Sequence, residues 1–432
     1  MIPVVDPAET RRFALDIVQR LRGAGYEALW AGGCVRDQLL GREPKDYDVA
    51  TSARPDEVRA VFGKRHTIPV GAAFGVITVL GRHGAGAVEV ATFRRDATYS
   101  DGRHPDSVTF SSAAEDALRR DFTINGMFYD PLAEQVVDYV GGQEDLAAGV
   151  VRAIRDPRER FHEDKLRMLR AIRFATIFGF TLETQTLAAI RQLAAEVVIV
   201  SAERIAAELR RLLPHPARRR GLELLSASRL LPVLLPELAG FDPESAWRDA
   251  DSDATWRATL ELLDALPSPT FPVALAALIR PVATGGTAAE TICRRWRLSN
   301  DETARVDWLL TRLDEVLAAR DLPWPRLQRL LIAPGIGELL SLAEGVERTS
   351  GLATPQSDYC RELLAQPAAQ LNPPPLVTGD DLRRAGLRPG PMFRELLEAI
   401  RDRQLTGELT TAAEALEFAL GLGPDRSAAS GG

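Results

Sequence analysis

Residues Leu29 to Thr51, LWAGGCVRDQLLGREPKDYDVAT, constrain this chain more than any other stretch. Ala28 to Ala31 is a short apolar run that reads as a strand entering a turn. Gly32 and Gly33 turn the chain with no side chain in the way of a ligand. A helical segment from Cys34 to Leu40 carries Arg36 and Asp37 in its first turn, and Gly41 is its stop. Asp46-Tyr47-Asp48 then opens a second strand. Side chains two apart on a strand share a face, so Asp46 and Asp48 would stand side by side. Two bare carboxylates there repel. A divalent cation such as Mg2+ relieves that repulsion and takes one or two carboxylates together with substrate phosphates. The glycine turn offers backbone N–H groups to those phosphates, and Arg36 adds positive charge. An Asp-x-Asp by itself is better explained by a solvated acidic pair. The Gly-Gly-x-Val-Arg-Asp-x-Leu-Leu-Gly one strand earlier is what points to a phosphate-handling site.

Further strands are expected at Gly75–Leu80 and Ala87–Phe93, with Glu89 facing away from Val88 and Val90. Glu89 is then either a third carboxylate for the same site or a solvent-facing residue on a half-buried strand. Arg94 to Pro105, RRDATYSDGRHP, is polar and without period, and reads as a mobile loop. Arg119 to Asn125 is RRDFTIN. Arg152 to Arg173 is rich in arginine and carboxylates. A helix over Glu163–Phe178 would set Asp164, Arg167, Arg170 and Arg173 three apart beside an apolar stripe of Leu166, Leu169 and Ile172. No G-x-G-x-x-G follows a strand and no G-x-x-x-x-G-K-[ST] occurs, so dinucleotide-binding and P-loop readings lack a motif.

Taken together, these stretches resemble the signature of class II nucleotidyltransferases, the tRNA CCA-adding enzymes and related bacterial poly(A) polymerases. RRDFTIN matches the family's second motif, and the stretch around Glu163–Phe174 matches E-D-x-L-R-x-x-R-A-x-R-F. The resemblance implies an α+β protein: a nucleotidyltransferase head with a mixed β-sheet and helices over 1–148, then an all-α neck (149–212), body (213–365) and tail (366–432). It implies Mg2+ on Asp46 and Asp48, activating an RNA 3′-hydroxyl against the α-phosphate of a nucleotide. Gly33, Arg36 and Arg120 would hold the triphosphate, and Gly32 and Asp37 would belong to the same nucleotide-binding set. Asp121 would hold an arginine or the ribose, and Asn125 would fix the loop. Asp164 and Arg167 would read the base, since a carboxylate and an arginine match the amino group and ring acceptor of cytosine and adenine but not uracil or guanine. Arg170 and Arg173 would orient that pair or reach phosphate. The loop at 94–105 stands where the family keeps one needed for adding the final A. The implied partners are tRNA, ATP and CTP. The motifs do not separate full CCA addition from A-only or poly(A) addition, and the intact Asp-x-Asp speaks against the third reading, a non-catalytic RNA-binding protein on the same fold.

The rest of the chain sets bounds. Its 432 residues suggest two to four units, and 45% hydrophobic with 26% charged residues is ordinary for a globular protein. No apolar run reaches membrane-spanning length, no secretory signal opens the chain, and Cys34, Cys293 and Cys360 form no disulfide or metal framework. A cytoplasmic protein is expected. The net charge of −7 weighs mildly against a nucleic-acid partner, but Arg204, Arg210, Arg211, Arg218, Arg219 and Arg220 form a basic cluster that could meet phosphates. From Ile177 onward helices are expected. All five histidines lie in the first half and are scattered, so a C-terminal histidine–aspartate phosphohydrolase centre cannot be built. Gln366–Pro375 reads as a linker, and Asp425–Gly432 as a disordered end.

Overall fold

The structure is a computed structural model that describes residues 6–81, 84–96, 108–241, 250–283, 287–351, 355–387 and 390–422. The central part of the expected loop and the expected disordered end lie outside the described residues. The chain forms two compact units, Met1–Arg257 with Thr291–Leu298, and Ala258–Glu290 with Ser299–Gly432.

The first unit is built on a mixed sheet. Its strands are β1 (Ala28–Ala31), β2 (Asp48–Thr51), β3 (Thr67–Gly71), β4 (Val76–Leu80) and β5 (Ala87–Thr92). Next come β6 (Arg94–Asp96), β7 (Val108–Phe110), β8 (Phe128–Asp130) and β9 (Gln135–Val137). The order is β3-β4-β5-β2-β1-β8-β9; β2 and β5 run parallel, and the remaining neighbours are antiparallel. Register decides the site. Trp30 lies opposite Val49, Val49 opposite Val90, and Val90 opposite Ile77, all four buried on one face. That face receives helix α1 (Pro7–Gly23), which also buries Ile17, Val18 and Leu21. Each such side chain contributes about 1.5–3 kcal/mol. The other face carries Leu29, Ala31 and Ala50, packed with Phe93, Phe128, Ala113 and Ala117. One residue further along that face, Asp48 stands in register with Glu89.

Several strands went unread in the sequence, β3 and β8 among them. β3 is too exposed and too short to show alternation. β8 completes β1 on its far side directly after the RRDFTIN motif. The expected loop also begins inside a strand, because β6 pairs with β7.

The further helices of this unit include α2 (Gly33–Leu39), α3 (Pro55–Phe62), α4 (Ala113–Leu118), α5 (Gly142–Ala148), α6 (Pro157–Glu163), α7 (Leu166–Phe178), α8 (Thr184–Leu193) and α9 (Ala202–Leu212). The expected single helix over Glu163–Phe178 is corrected here. Asp164 has φ −147° and ψ 106° and separates α6 from α7. Its carboxylate accepts the Leu166 N–H at 3.0 Å, a bond open to aspartate at a helix start and not inside one.

The second unit is helical in its described residues. Phe271–Ile279, Asn300–Leu317 and Ile336–Ser350 pack on one another, and Ser299 with Glu302 forms a capping box. Gly379–Arg384, Pro391–Thr406 and Ala412–Leu422 enclose a small core of Val377, Leu382, Leu396, Ile400, Ala415 and Ala419. Among the described residues no helix is long and apolar enough to cross a membrane.

Candidate active site

A cleft of about 540 Å3 opens on the Asp48 face of the sheet. It is lined by Gly32, Gly33, Arg36, Asp48, Arg120, Asp121, Asn125, Asp164, Arg167, Arg170 and Arg173, most of the residues singled out by sequence. Asp37, Asp46 and Glu89 are not among its lining. Asp37 lies behind Arg36 and accepts its Nε at 2.9 Å. Asp46 precedes β2, so the acidic pair is not two rungs of one strand as expected.

The acidic corner is coupled electrostatically. Asp48 opens onto the cleft, but the walls crowd it. Burial raises its carboxyl to about 6, Glu89 and Asp46 push the same way, and Arg120 opposes them. Such a surplus of negative charge suits a divalent cation. Among the described residues no three His, Cys, Asp or Glu side chains converge to cage a metal unaided. The donor set therefore fits a cation that takes part of its shell from phosphate oxygens, and not one held wholly by protein. The thiol of Cys34, buried beneath Asp48, is raised to about 11 by burial.

The glycine turn has a steric reason. Gly32 has φ +72°, and a Cβ there would lie 2.9 Å from an Arg120 guanidinium nitrogen. Arg36 is buried and held, donating to Asp37 and, at 2.6 Å, to Asn125 Oδ1. Its guanidinium lies over the rings of Phe174 and Phe178. Arg119 and Arg120 share the buried Asp116. Burial works to raise that carboxyl, but the two arginines outweigh it and its pKa is lowered. Of the two guanidiniums on that carboxylate, Arg120 is the one whose positive charge acts on Asp48.

The RRDFTIN loop is tied to α7. Asp121 accepts Arg170 Nε at 2.9 Å and the Asn125 amide at 3.1 Å. Burial opposes ionisation of Asp121, but Arg170 and Asn125 lower it to about 2. The sequence had offered Asp121 an arginine or a ribose, and the arginine is what it holds. Arg173 donates to the buried Glu208 of α9. Thus Arg170 and Arg173 engage Asp121 and Glu208, not Asp164.

Asp164 and Arg167 are each braced. Arg204 of α9 forks onto Asp164 at 2.7 and 3.2 Å. Glu163 takes Arg167 on one oxygen and Arg160 on the other, both at 2.6 Å. Arg160 and Arg167 also reach the Arg119 carbonyl. Sequence reasoning passed over Asp116 and Glu208, gave no separate role to Glu163 or Phe174 within their motif, and saw Arg204 only as part of a basic cluster. The helical spacing of Asp116 before Arg119 and Arg120, and of Glu208 four after Arg204, was the available signal. That cluster is largely internal: Arg218 donates to the Leu213 carbonyl, Arg219 pairs with Glu223, and Arg220 donates to the Phe180 carbonyl.

Three family models match the chain: the poly A polymerase head domain over residues 28–152, the "Probable RNA and SrmB- binding site of polymerase A" over 179–241, and tRNA nucleotidyltransferase domain 2 over 272–419. The CCA-adding enzyme of Levilactobacillus brevis is 34% identical over 419 residues, 95% of this chain and 98% of the relative. That of Geobacillus stearothermophilus is 34% identical over 93% of this chain and 94% of the relative. The crystal structure of Bacillus stearothermophilus CCA-adding enzyme in complex with CTP superposes with a TM-score of 0.72 at 31% identity, covering 95% of this chain and 97% of that one. A cleft assembled from the glycine turn, the acidic corner and the braced Asp164–Arg167 pair, on a chain alike from end to end, places this protein in the CCA-adding enzyme family.

Proposed function

We propose that the chain is a template-independent nucleotidyltransferase that completes the 3′ end of tRNA, adding two CMP and one AMP from CTP and ATP and releasing pyrophosphate. The observation that carries this reading is one cleft holding both an acidic corner and a fixed acceptor–donor pair suited to reading a base. Kinship along the whole length with CCA-adding enzymes favours full CCA addition over A-only or poly(A) addition.

Asp46 and Asp48 are the residues that would hold Mg2+, with Glu89 beside them. The ion would supply charge neutralisation at the phosphates and a more acidic 3′-hydroxyl. The Arg119–Arg120 pair on Asp116 grips the triphosphate, and Gly32 leaves room for Arg120. Arg36 and Asn125 hold the glycine turn and the RRDFTIN loop together. Asp164 accepts from the exocyclic amino group of cytosine or adenine while Arg167 donates to the ring. A carbonyl in place of the amino group would face Asp164 with no proton between them, which is the basis for refusing UTP and GTP. We assign the head to 1–148, the neck with its base-reading residues to 149–212, the body to 213–365 and the tail to 366–432.

Purified protein is given tRNA ending before CCA, or after CC, with labelled CTP or ATP singly. CTP should label the first and ATP the second. Labelling by ATP alone, and only on the CC-ended tRNA, would leave A-addition instead. Asp48→Ala should abolish incorporation on both; unchanged incorporation would restore the non-catalytic RNA-binding reading.

A further inference from the structure

Among the described residues eight arginines line the cleft, and seven have a protein carboxylate within ion-pair distance. Arg211 is the eighth. It is exposed and, among the described residues, makes no hydrogen bond or ion pair. It is on α9 at the i+7 position from Arg204 and i+3 from Glu208, so the three form one stripe. Ile205, Leu209 and Leu212 bury the opposite side of the helix. Glu208 would be a natural partner for Arg211, yet its carboxylate is taken by Arg173. Arg211 thus stands on the cleft wall beside the Arg173–Glu208 pair without a carboxylate of its own among the described residues. A cation there, in a cleft whose other arginines each have a carboxylate, is placed for an anion that arrives from outside.

The span along α9 identifies the anion. Seven residues of helix cover roughly 10 Å. Arg204 marks the base end, because it holds Asp164. Arg211 is therefore displaced from the base by a distance comparable to the reach from a nucleobase edge to its phosphates. We propose that Arg211 binds the triphosphate of the incoming nucleotide from the α9 side, opposite the Arg119–Arg120 pair. This rests on the nucleotidyltransferase reading of the cleft. A guanidinium there would also steady the pyrophosphate as it leaves.

The test uses the full chain, wild type, Arg211→Gln and Arg211→Lys. Having no partner to lose, both variants should keep the wild-type melting temperature. In steady-state assays on tRNA ending before CCA, Arg211→Gln should raise KM for CTP about tenfold, as expected for one charge-assisted contact. Arg211→Lys should recover most of that loss, and KM for tRNA should not move. Calorimetric titration with sodium tripolyphosphate, without RNA, should show weaker binding to Arg211→Gln by a similar factor. Unchanged tripolyphosphate affinity and CTP KM would overturn the proposal. So would a rise confined to the tRNA KM, which would give Arg211 to an RNA phosphodiester. The titration needs no turnover, so it reports on Arg211 even if the wild type transferred no nucleotide, and the two readings fail separately.

Discussion

Asp164 stands where helical geometry gives out, so its direction is set by what it bonds. Arg204 occupies one site on each carboxylate oxygen and the Leu166 N–H takes another, which leaves room for one more donor. An acceptor restricted in this way can distinguish an amino group from a carbonyl. Arg204→Gln removes the fork, and should lower the preference for CTP over UTP by about tenfold or more while leaving tripolyphosphate affinity intact. Competition between labelled CTP and UTP checks this; an unchanged ratio would show that Asp164 needs no brace. Asp121 makes a different prediction. Its pKa is lowered in the folded state to about 2 against an unfolded value near 3.9, so its pairing with Arg170 stabilises the fold above pH 4 by about 2 kcal/mol. That contribution is lost as pH falls toward 2. The gap between wild type and Asp121→Asn in urea unfolding should therefore be full at pH 5 and above, fall to about half at pH 3 and close toward pH 2; a constant gap would contradict it.

The elements around the site are held by close approach as much as by charge. Helix α5 begins beneath the RRDFTIN loop, and a Cβ on Gly142 would lie 2.3 Å from the Thr123 carbonyl and 2.6 Å from Met127 Cγ. Gly142→Ala must push that loop outward, at about 1–3 kcal/mol for forced overpacking. A fall of several degrees in melting temperature should accompany weaker CTP binding, because the loop carries Arg120 and Asp121. An unshifted melting curve would mean that the backbone gives way without cost. The β6–β7 ladder anchors the segment between Asp96 and Val108 at both ends. Removing residues 97–103, which lie outside the described residues, should stall products at CC. Sequencing of product ends checks this, and unaltered completion to CCA would show that the segment is dispensable.

Across the whole molecule, arginine count overstates what RNA can use. Arg152 pairs with Asp145, Arg160 with Glu163 and Arg173 with Glu208, and a guanidinium bound in this way releases no counterion from a phosphate. The affinity for tRNA should fall with salt, but with a log–log slope well below the number of arginines in the clusters. Filter binding between low and moderate salt measures it, and a flat response would remove the electrostatic role altogether. The motifs were legible because the chemistry of phosphate and base recognition demands particular side chains at particular spacings within one short segment. Glycine turn, acidic pair, RRDFTIN and the Glu163–Arg173 stretch each met that condition, and so did the helical character after Ile177. Local periodicity could not reveal β3 or β8, whose existence depends on pairing with distant strands, nor the break at Asp164, where a capping bond outweighs helix continuation. It also could not say which carboxylate each arginine would take. By itself the sequence pointed to the kind of chemistry and to most of the residues that line the cleft. Tertiary structure decided their assignments, because an ion pair forms between groups that packing brings together, and the chain carries more charged residues than any one-dimensional spacing can match into pairs.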